Sequence, residues 1–255
     1  MTLTKNEIKF VKSLQIKKYR DNHQRFVVEG EKLISELLSQ STYKIDTLFH
    51  TADYSLTSQH SGINHVEISS KDLERISSLK SPNKVLATVK IKARNAVDMH
   101  ADALILLLDN VKDPGNLGTI IRTAEWFGVT HIVASEQSVD VYNPKTIQSS
   151  MGAFYHVNFS YANLNILIPT LKEKEYVIAG ASLTGSSIYE AKLAKKTALI
   201  MGSESHGISD QILKLVDQEL LIPKIGQSES LNVGIATGIF LAEYYRQFTS
   251  PQTLS

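Results

Sequence analysis

Three short stretches hold the residue types from which a polar reaction site could be built. The first is Asp113-Pro114-Gly115-Asn116-Leu117-Gly118, followed by an apolar helical pattern that carries Arg122. The second is Gly202-Ser203-Glu204-Ser205-His206-Gly207, and the third is "PKIGQSESLN", Pro223 to Asn232. Glycines let backbone approach a ligand closely, and helix starts offer free N–H donors. Arg122 lies four residues after Gly118, on the same helical face, where its planar fork could grip a phosphate. The competing role is an ordinary ion pair with Glu125. Glu204 could orient a substrate hydroxyl, or simply favour the start of the next helix. Ser230 and Asn232 could complete a polar wall, or cap the last helix. His206 reads as an exposed loop histidine.

Other chemistries have little to stand on. Neither G-x-G-x-x-G nor G-x-x-x-x-G-K-[ST] occurs, so the common dinucleotide and phosphate-loop fingerprints are missing. No His/Cys/Asp grouping has metal-ligand spacing, so no metal is expected. With no cysteine, disulfides and thiolate chemistry are excluded, which fits a reducing cytoplasm. No apolar run reaches the roughly 18 residues of a membrane helix, and the N-terminus lacks a signal core.

The elements that must position these residues follow from hydrophobic pattern. "ALILLLD" is a continuous apolar run, as in a strand buried on both faces. "THIVAS", "YVIAGAS", "TALIMG" and "ELLIP" read as further strands. Helices are expected at about 116–127, 144–150, 164–173, 210–216 and 231–248. Such alternation predicts an α/β fold with a parallel sheet and helices on both faces. The three polar stretches then fall after strands, where open α/β sheets bind ligands. Before residue 93 the pattern is that of a smaller α/β unit. It has strands "RFVVEG", "IDTLFHT" and "KVLATVKI", with helices at "EKLISELLSQ" and "SSKDLERISSL". The expected domains are therefore 1–95 and 103–255, joined by a linker at 96–102.

Charge divides along the same line. The net charge of +1 hides 16 Lys+Arg against 10 Asp+Glu in residues 1–95. A basic front half suggests a polyanionic partner, with Lys12, Lys17, Lys18, Arg20 and Arg25 as its cations. The plainer reading is a solvated, lysine-rich helix face. Aromatic residues are too scattered for a recognisable base-stacking platform.

In order along the chain, the three stretches resemble the motifs of the SpoU/TrmH family of RNA ribose methyltransferases, part of the SPOUT superfamily. "DPGNLGTIIRTAEWFG" matches N-x-G-x-x-x-R at Asn116, Gly118 and Arg122. "LIMGSESHGIS" matches G-x-E-x-x-G at Gly202, Glu204 and Gly207. "LIPKIGQSESLNV" matches I-P and S-L-N-V at Ile222, Pro223, Ser230, Leu231, Asn232 and Val233. The front segment, with "RFVVEGEKLISELL", resembles the ribosomal-protein-like RNA-binding domain that precedes the catalytic domain in many members.

The resemblance implies S-adenosylmethionine as methyl donor and a ribose 2′-hydroxyl of RNA as acceptor, ribosomal RNA in preference to transfer RNA. It implies a catalytic set of Asn116, Arg122, Glu204, Ser230 and Asn232. The donor site it implies comprises Gly202, Ile222, Pro223 and Leu231, with Leu183 and Thr184 as weaker members. It further implies a homodimer and a deep C-terminal trefoil knot, which sequence rules alone would never suggest. Ser205-His206 stands where many relatives carry smaller residues. A catalytically silent RNA-binding or ribosome-assembly factor on the same scaffold is the alternative.

Overall fold

The structure, a computed structural model, describes residues 2–92 and 104–248. The expected linker at 96–102 lies outside the described residues. The chain folds as two compact units, the first taking in residues up to 92 together with Asp140–Tyr155.

The first unit begins with α1 (Lys5–Ser13), α2 (Lys17–His23), β1 (Arg25–Glu29), α3 (Glu31–Ser39) and β2 (Ile45–His50). It continues with β3 (His65–Glu67), α4 (Ser70–Ile76) and β4 (Val85–Lys90). Its sheet has the order β1-β4-β2-β3, antiparallel except between β2 and β3. α1 opens on a capping box in which Thr4 and Glu7 bond reciprocally. Its Ile8 and Val11 then join Leu14, Leu73 and Ile76 in a core beneath the sheet. α4 is capped by Ser69, whose hydroxyl accepts from Asp72 N–H.

Asp140–Tyr155 belongs to this unit although it follows the first strands of the second in sequence. Phe26 on β1 packs against Tyr142 and Phe154, and Tyr43 against Phe154 and Tyr155. Burial pushes the Tyr43 and Tyr155 phenols up from their ordinary range. Gln148 Nε2 donates to Glu29 O at 2.9 Å, and Tyr155 OH to Leu33 O at 3.2 Å.

The second unit contains β5 (Leu104–Leu108), α5 (Pro114–Trp126), β6 (His131–Ser135), and, after the excursion that carries α6 (Pro144–Ser150) in the first unit, β7 (Asn158–Ala162). Then come α7 (Leu164–Glu173), β8 (Val177–Ser187), β9 (Thr197–Met201), α8 (Asp210–Leu213), β10 (Gln218–Leu221) and α9 (Val233–Phe248). The sheet is six-stranded and parallel throughout, in the order β10-β8-β9-β5-β6-β7. Every residue of β5, β6 and β9 is buried; β5 is apolar throughout, while β6 and β9 also bury His131, Ser135 and Thr197 at their ends. Ile105, Leu107, Val133, Ile178 and Ile200 share a core with Ile168 and Leu171 of α7.

β7 was not announced by the sequence. It is a half-buried edge strand, "NFSYA", so it lacks the apolar density of its neighbours. β8 departs from regularity too. Gly180 pairs with Glu219 and Ser186 with Leu220, so residues 181–185 loop out of the ladder. α9 packs on α5 at small residues: a Cβ on Gly234 would stand 2.9 Å from Thr119 Cγ2, and one on Gly238 would stand 3.4 Å from Thr123 Cγ2. The far end of α9 is held where Gln247 bonds Leu193 N–H and Ala191 O. Arg246 hydrogen bonds beside it hold the Glu243 carboxyl below the usual range.

Candidate active site

β5, β8, β9 and β10 are neighbours and parallel, so the loops that follow them emerge at one end of the sheet. Three of those loops are the stretches singled out by residue type. α5 starts by a local rule: Asp113 is the N-cap, its Oδ1 accepts from Asn116 N–H at 2.8 Å, and Pro114 occupies the first helical position. That start fixes Asn116 in the first turn. Asn116 Nδ2 donates to Glu204 Oε1 at 2.8 Å, and Asn232 Nδ2 donates to Asn116 Oδ1 at 2.8 Å. Residues from all three loops thus form one side-chain chain, Asn232–Asn116–Glu204. Asn232 also accepts at Oδ1 from the N–H groups of Gly234 and Ile235, so its capping role and its place in the chain coexist.

Glu204 sits on a tight hairpin. Ser203 and Gly207 exchange two backbone hydrogen bonds, 2.9 and 3.0 Å, and Gly207 takes a φ of +67°. At the hairpin tip Ser205 Oγ lies 2.7 Å from Nδ1 of the exposed His206. Arg122 does not enter the chain. It is exposed on α5 and makes no hydrogen bond or ion pair among the described residues, so the competing role, a pairing with Glu125, is not formed. Ser230 is exposed and likewise stands outside the chain.

The residues expected at the donor site lie on the same group of loops. Gly202 is buried where β9 ends, under the backbone of Gly207 and Ile208. Ile222 is half-buried, and Pro223 and Leu231 are exposed. Leu183, 78% exposed, stands in the looped-out part of β8. Beside it Thr184 Oγ1 donates to Glu219 Oε2 at 3.2 Å. Ile225 is fully exposed, so the looped-out part of β8 and the loop after β10 display uncovered apolar side chains.

The basic residues of the first unit separate into two kinds. Lys12 and Lys18 are exposed and unpaired among the described residues. Lys17 pairs with Asp21 at 3.3 Å and Arg25 with Asp46 at 3.1 Å. Arg20 is a correction to the sequence reading. Only 1% of it is exposed; Nε and Nη2 both donate to Asp140 Oδ2 at 2.9 and 2.6 Å, and Nη1 to Leu14 O. A buried, fully bonded guanidinium is a structural ion pair with no face for a polyanion. Sequence reasoning also passed over Lys5 and Lys9, which share a stripe with Lys12 at helical spacing i, i+4, i+7.

A parallel sheet that gathers such loops at one end, with an amide–carboxylate chain linking them, is the arrangement in which open α/β folds hold ligands beyond the carboxyl ends of their strands. The comparisons with known proteins make this particular. The SpoU rRNA Methylase family profile matches residues 103–242, and the chain belongs to that family. An MRM3-like substrate binding domain matches residues 5–87. The chain is 30% identical to the 23S rRNA (guanosine(2553)-2′-O)-methyltransferase RlmP of Bacillus subtilis, over 92% of this chain and 94% of that one. It is similar to the structure of a TrmH-family RNA methyltransferase from Porphyromonas gingivalis, with TM-score 0.85, 38% identity, and 96% and 99% of the two chains covered. An AdoMet-bound rRNA methyltransferase from Sinorhizobium meliloti gives TM-score 0.84 at 28% identity, covering 98% and 99%.

Proposed function

We propose that this chain transfers a methyl group from S-adenosylmethionine to a ribose 2′-hydroxyl of RNA, with ribosomal RNA preferred over transfer RNA. The observation that carries the reading is the Asn232–Asn116–Glu204 chain, which draws three distant motifs together while Arg122 stays uncommitted on the same helix as Asn116. When bound, S-adenosylmethionine supplies an electrophilic methyl on a sulfonium. The residues present suit it: Gly202, Ile222, Pro223 and Leu231 would hold it, with Leu183 and Thr184 at the edge. Exposed Leu183 and Leu231 offer apolar surface for an adenine face.

The acceptor hydroxyl must be aligned and must shed its proton. A guanidinium has only donors, so Arg122 is not the proton acceptor. It holds the RNA phosphate beside the hydroxyl and stabilises charge growing on the 2′-oxygen, while that phosphate or a water takes the proton. Asn116, oriented from both sides, steadies the ribose; Glu204, Ser230 and Asn232 line the polar wall. Incubation with methyl-labelled donor and unmodified RNA tests this. Label is expected in alkali-resistant dinucleotides of ribosomal RNA. Donor binding without any incorporation would favour the silent assembly factor.

The first unit supplies RNA affinity. Lys5, Lys9 and Lys12 line one exposed stripe of α1, and the acid of that helix, Glu7, is spent on Thr4. Like charges at i, i+4 cost the helix about 0.2–0.5 kcal/mol each, with no structural return visible here. Replacing all three with glutamine is expected to flatten the slope of log affinity against log salt by about 2, leaving donor binding unchanged. An unaltered slope would move the RNA surface elsewhere, toward Lys17, Lys18 and Arg25.

A homodimer in the cytoplasm completes the reading. Trp126 at the end of α5 and Ile235 on α9, 82% and 57% exposed, are apolar groups that a second copy would cover. No helix among the described residues is long and apolar enough to cross a membrane. The likeness to solved family structures and the return of α9 onto α5 support a knotted C-terminal path.

A further inference from the structure

Asp109 is the last residue before the Asn116 loop and is 2% exposed. Its two carboxylate oxygens face two separate donors: Oδ1 accepts from Asn110 Nδ2 at 2.9 Å, and Oδ2 accepts from Ser209 N–H at 2.8 Å. Its own N–H donates to Met201 O at 2.9 Å. Met201 and Ser209 are the residues on either side of the stretch Gly202–Ile208, which carries Glu204. One residue therefore binds both legs of that hairpin. The same residue begins the loop that reaches Asn116. Asn110, next in the chain, takes a left-handed φ of 59° and donates its N–H to Ser135 Oγ at 2.9 Å, which fixes the direction in which the loop leaves.

We propose that Asp109 is a positioning residue for methyl transfer, setting the register of the Glu204 hairpin against the Asn116 loop. The inference rests on the reaction assigned above. A carboxylate accepts from both donors at once, whereas an alanine accepts from neither and frees the Ser209 segment from the start of the Asn116 loop. Glu204 would then shift relative to Asn116 while the sheet beneath stayed in place.

Asp109→Ala tests this, with Ser209→Pro as an independent route to the same contact. Ser209 has a φ of −65°, which proline matches, but the ring carbon would stand where the N–H now meets Asp109 Oδ2, so the variant removes that hydrogen bond and pushes the two segments apart. In each variant kcat is expected to fall about 10²-fold, the scale of an ångström-sized misplacement, well below the melting temperature. KM for RNA should change by less than about threefold, since the binding surface is untouched. In a Glu204→Ala background Asp109→Ala should cost less than about threefold further, because its effect runs through Glu204. A purely stabilising acid would lower the melting temperature and leave turnover of the folded enzyme alone. Normal kcat in both variants, or losses that multiply in the double variant, would overturn the role. A parent chain that methylates no RNA overturns the reaction and this role with it.

Discussion

Arg122→Ala is expected to lose methyl transfer by about two orders of magnitude or more, the scale of one missing oxyanion contact, while binding S-adenosylhomocysteine nearly as before. Three observations set that expectation. Arg122 is exposed and bonds to nothing among the described residues, so its removal leaves no orphaned partner. α5 is held without it, through buried Leu117, Ile120, Ile121 and Ala124. The donor-side loops belong to other strands, within β8 and after β9 and β10. Stability should therefore change by no more than about 0.5 kcal/mol, as at ordinary surface positions. Arg122→Lys sharpens the test: it keeps the charge and loses the planar fork, so an intermediate rate is expected if a phosphate is gripped at two points. Single-turnover kinetics with saturating donor would measure the chemical step directly. Near-normal turnover in Arg122→Ala would remove the guanidinium from the reaction.

The parts of this molecule legible in its sequence are those governed by local pattern. β5 is an unbroken apolar run, and β6 and β9 are apolar at their centres, because all three are buried along their whole length, and they were readable as such. β7 was not, because a half-exposed edge strand spreads its apolar residues too thinly. The five-residue excursion in β8 was invisible for another reason: it is imposed by the partner strand. Gly185 has a φ of +99°, and a Cβ there would stand 2.4 Å from Glu219 O.

The site divides in the same way. Asn116, Glu204 and Asn232 were nameable from motif, but their mutual hydrogen bonds span 88 and 116 residues of chain, a matter of topology. Arg20 looked like its lysine neighbours until Asp140, 120 residues away, proved to hold it. Asp109 gave no signal because an acid at a strand end is commonplace. Its importance lies in the two backbone segments that meet it.

Gly202→Ala should abolish both donor binding and methyl transfer, which separates it from Arg122→Ala. A Cβ at this position would lie 2.1 Å from Gly207 C and 2.2 Å from Ile208 N. Both are backbone atoms, so no rotamer change can make room, and the hairpin itself must open. Opening it breaks the Ser203–Gly207 pair of backbone bonds and pulls Ser209 from Asp109 and Glu204 from Asn116. Overpacking of this kind costs about 1–3 kcal/mol or more, so a lowered melting temperature is expected with the loss of function. Gly207→Ala is the informative contrast on the same hairpin. Its Cβ would meet nothing within 4 Å, and the φ of +67° costs only about 1–2 kcal/mol of local strain. Calorimetry with S-adenosylhomocysteine should find binding weakened in Gly207→Ala and absent in Gly202→Ala. Retained binding in Gly202→Ala would mean that the donor does not depend on the closed hairpin, and the site would have to be redrawn around the looped-out part of β8 and the loop after β10.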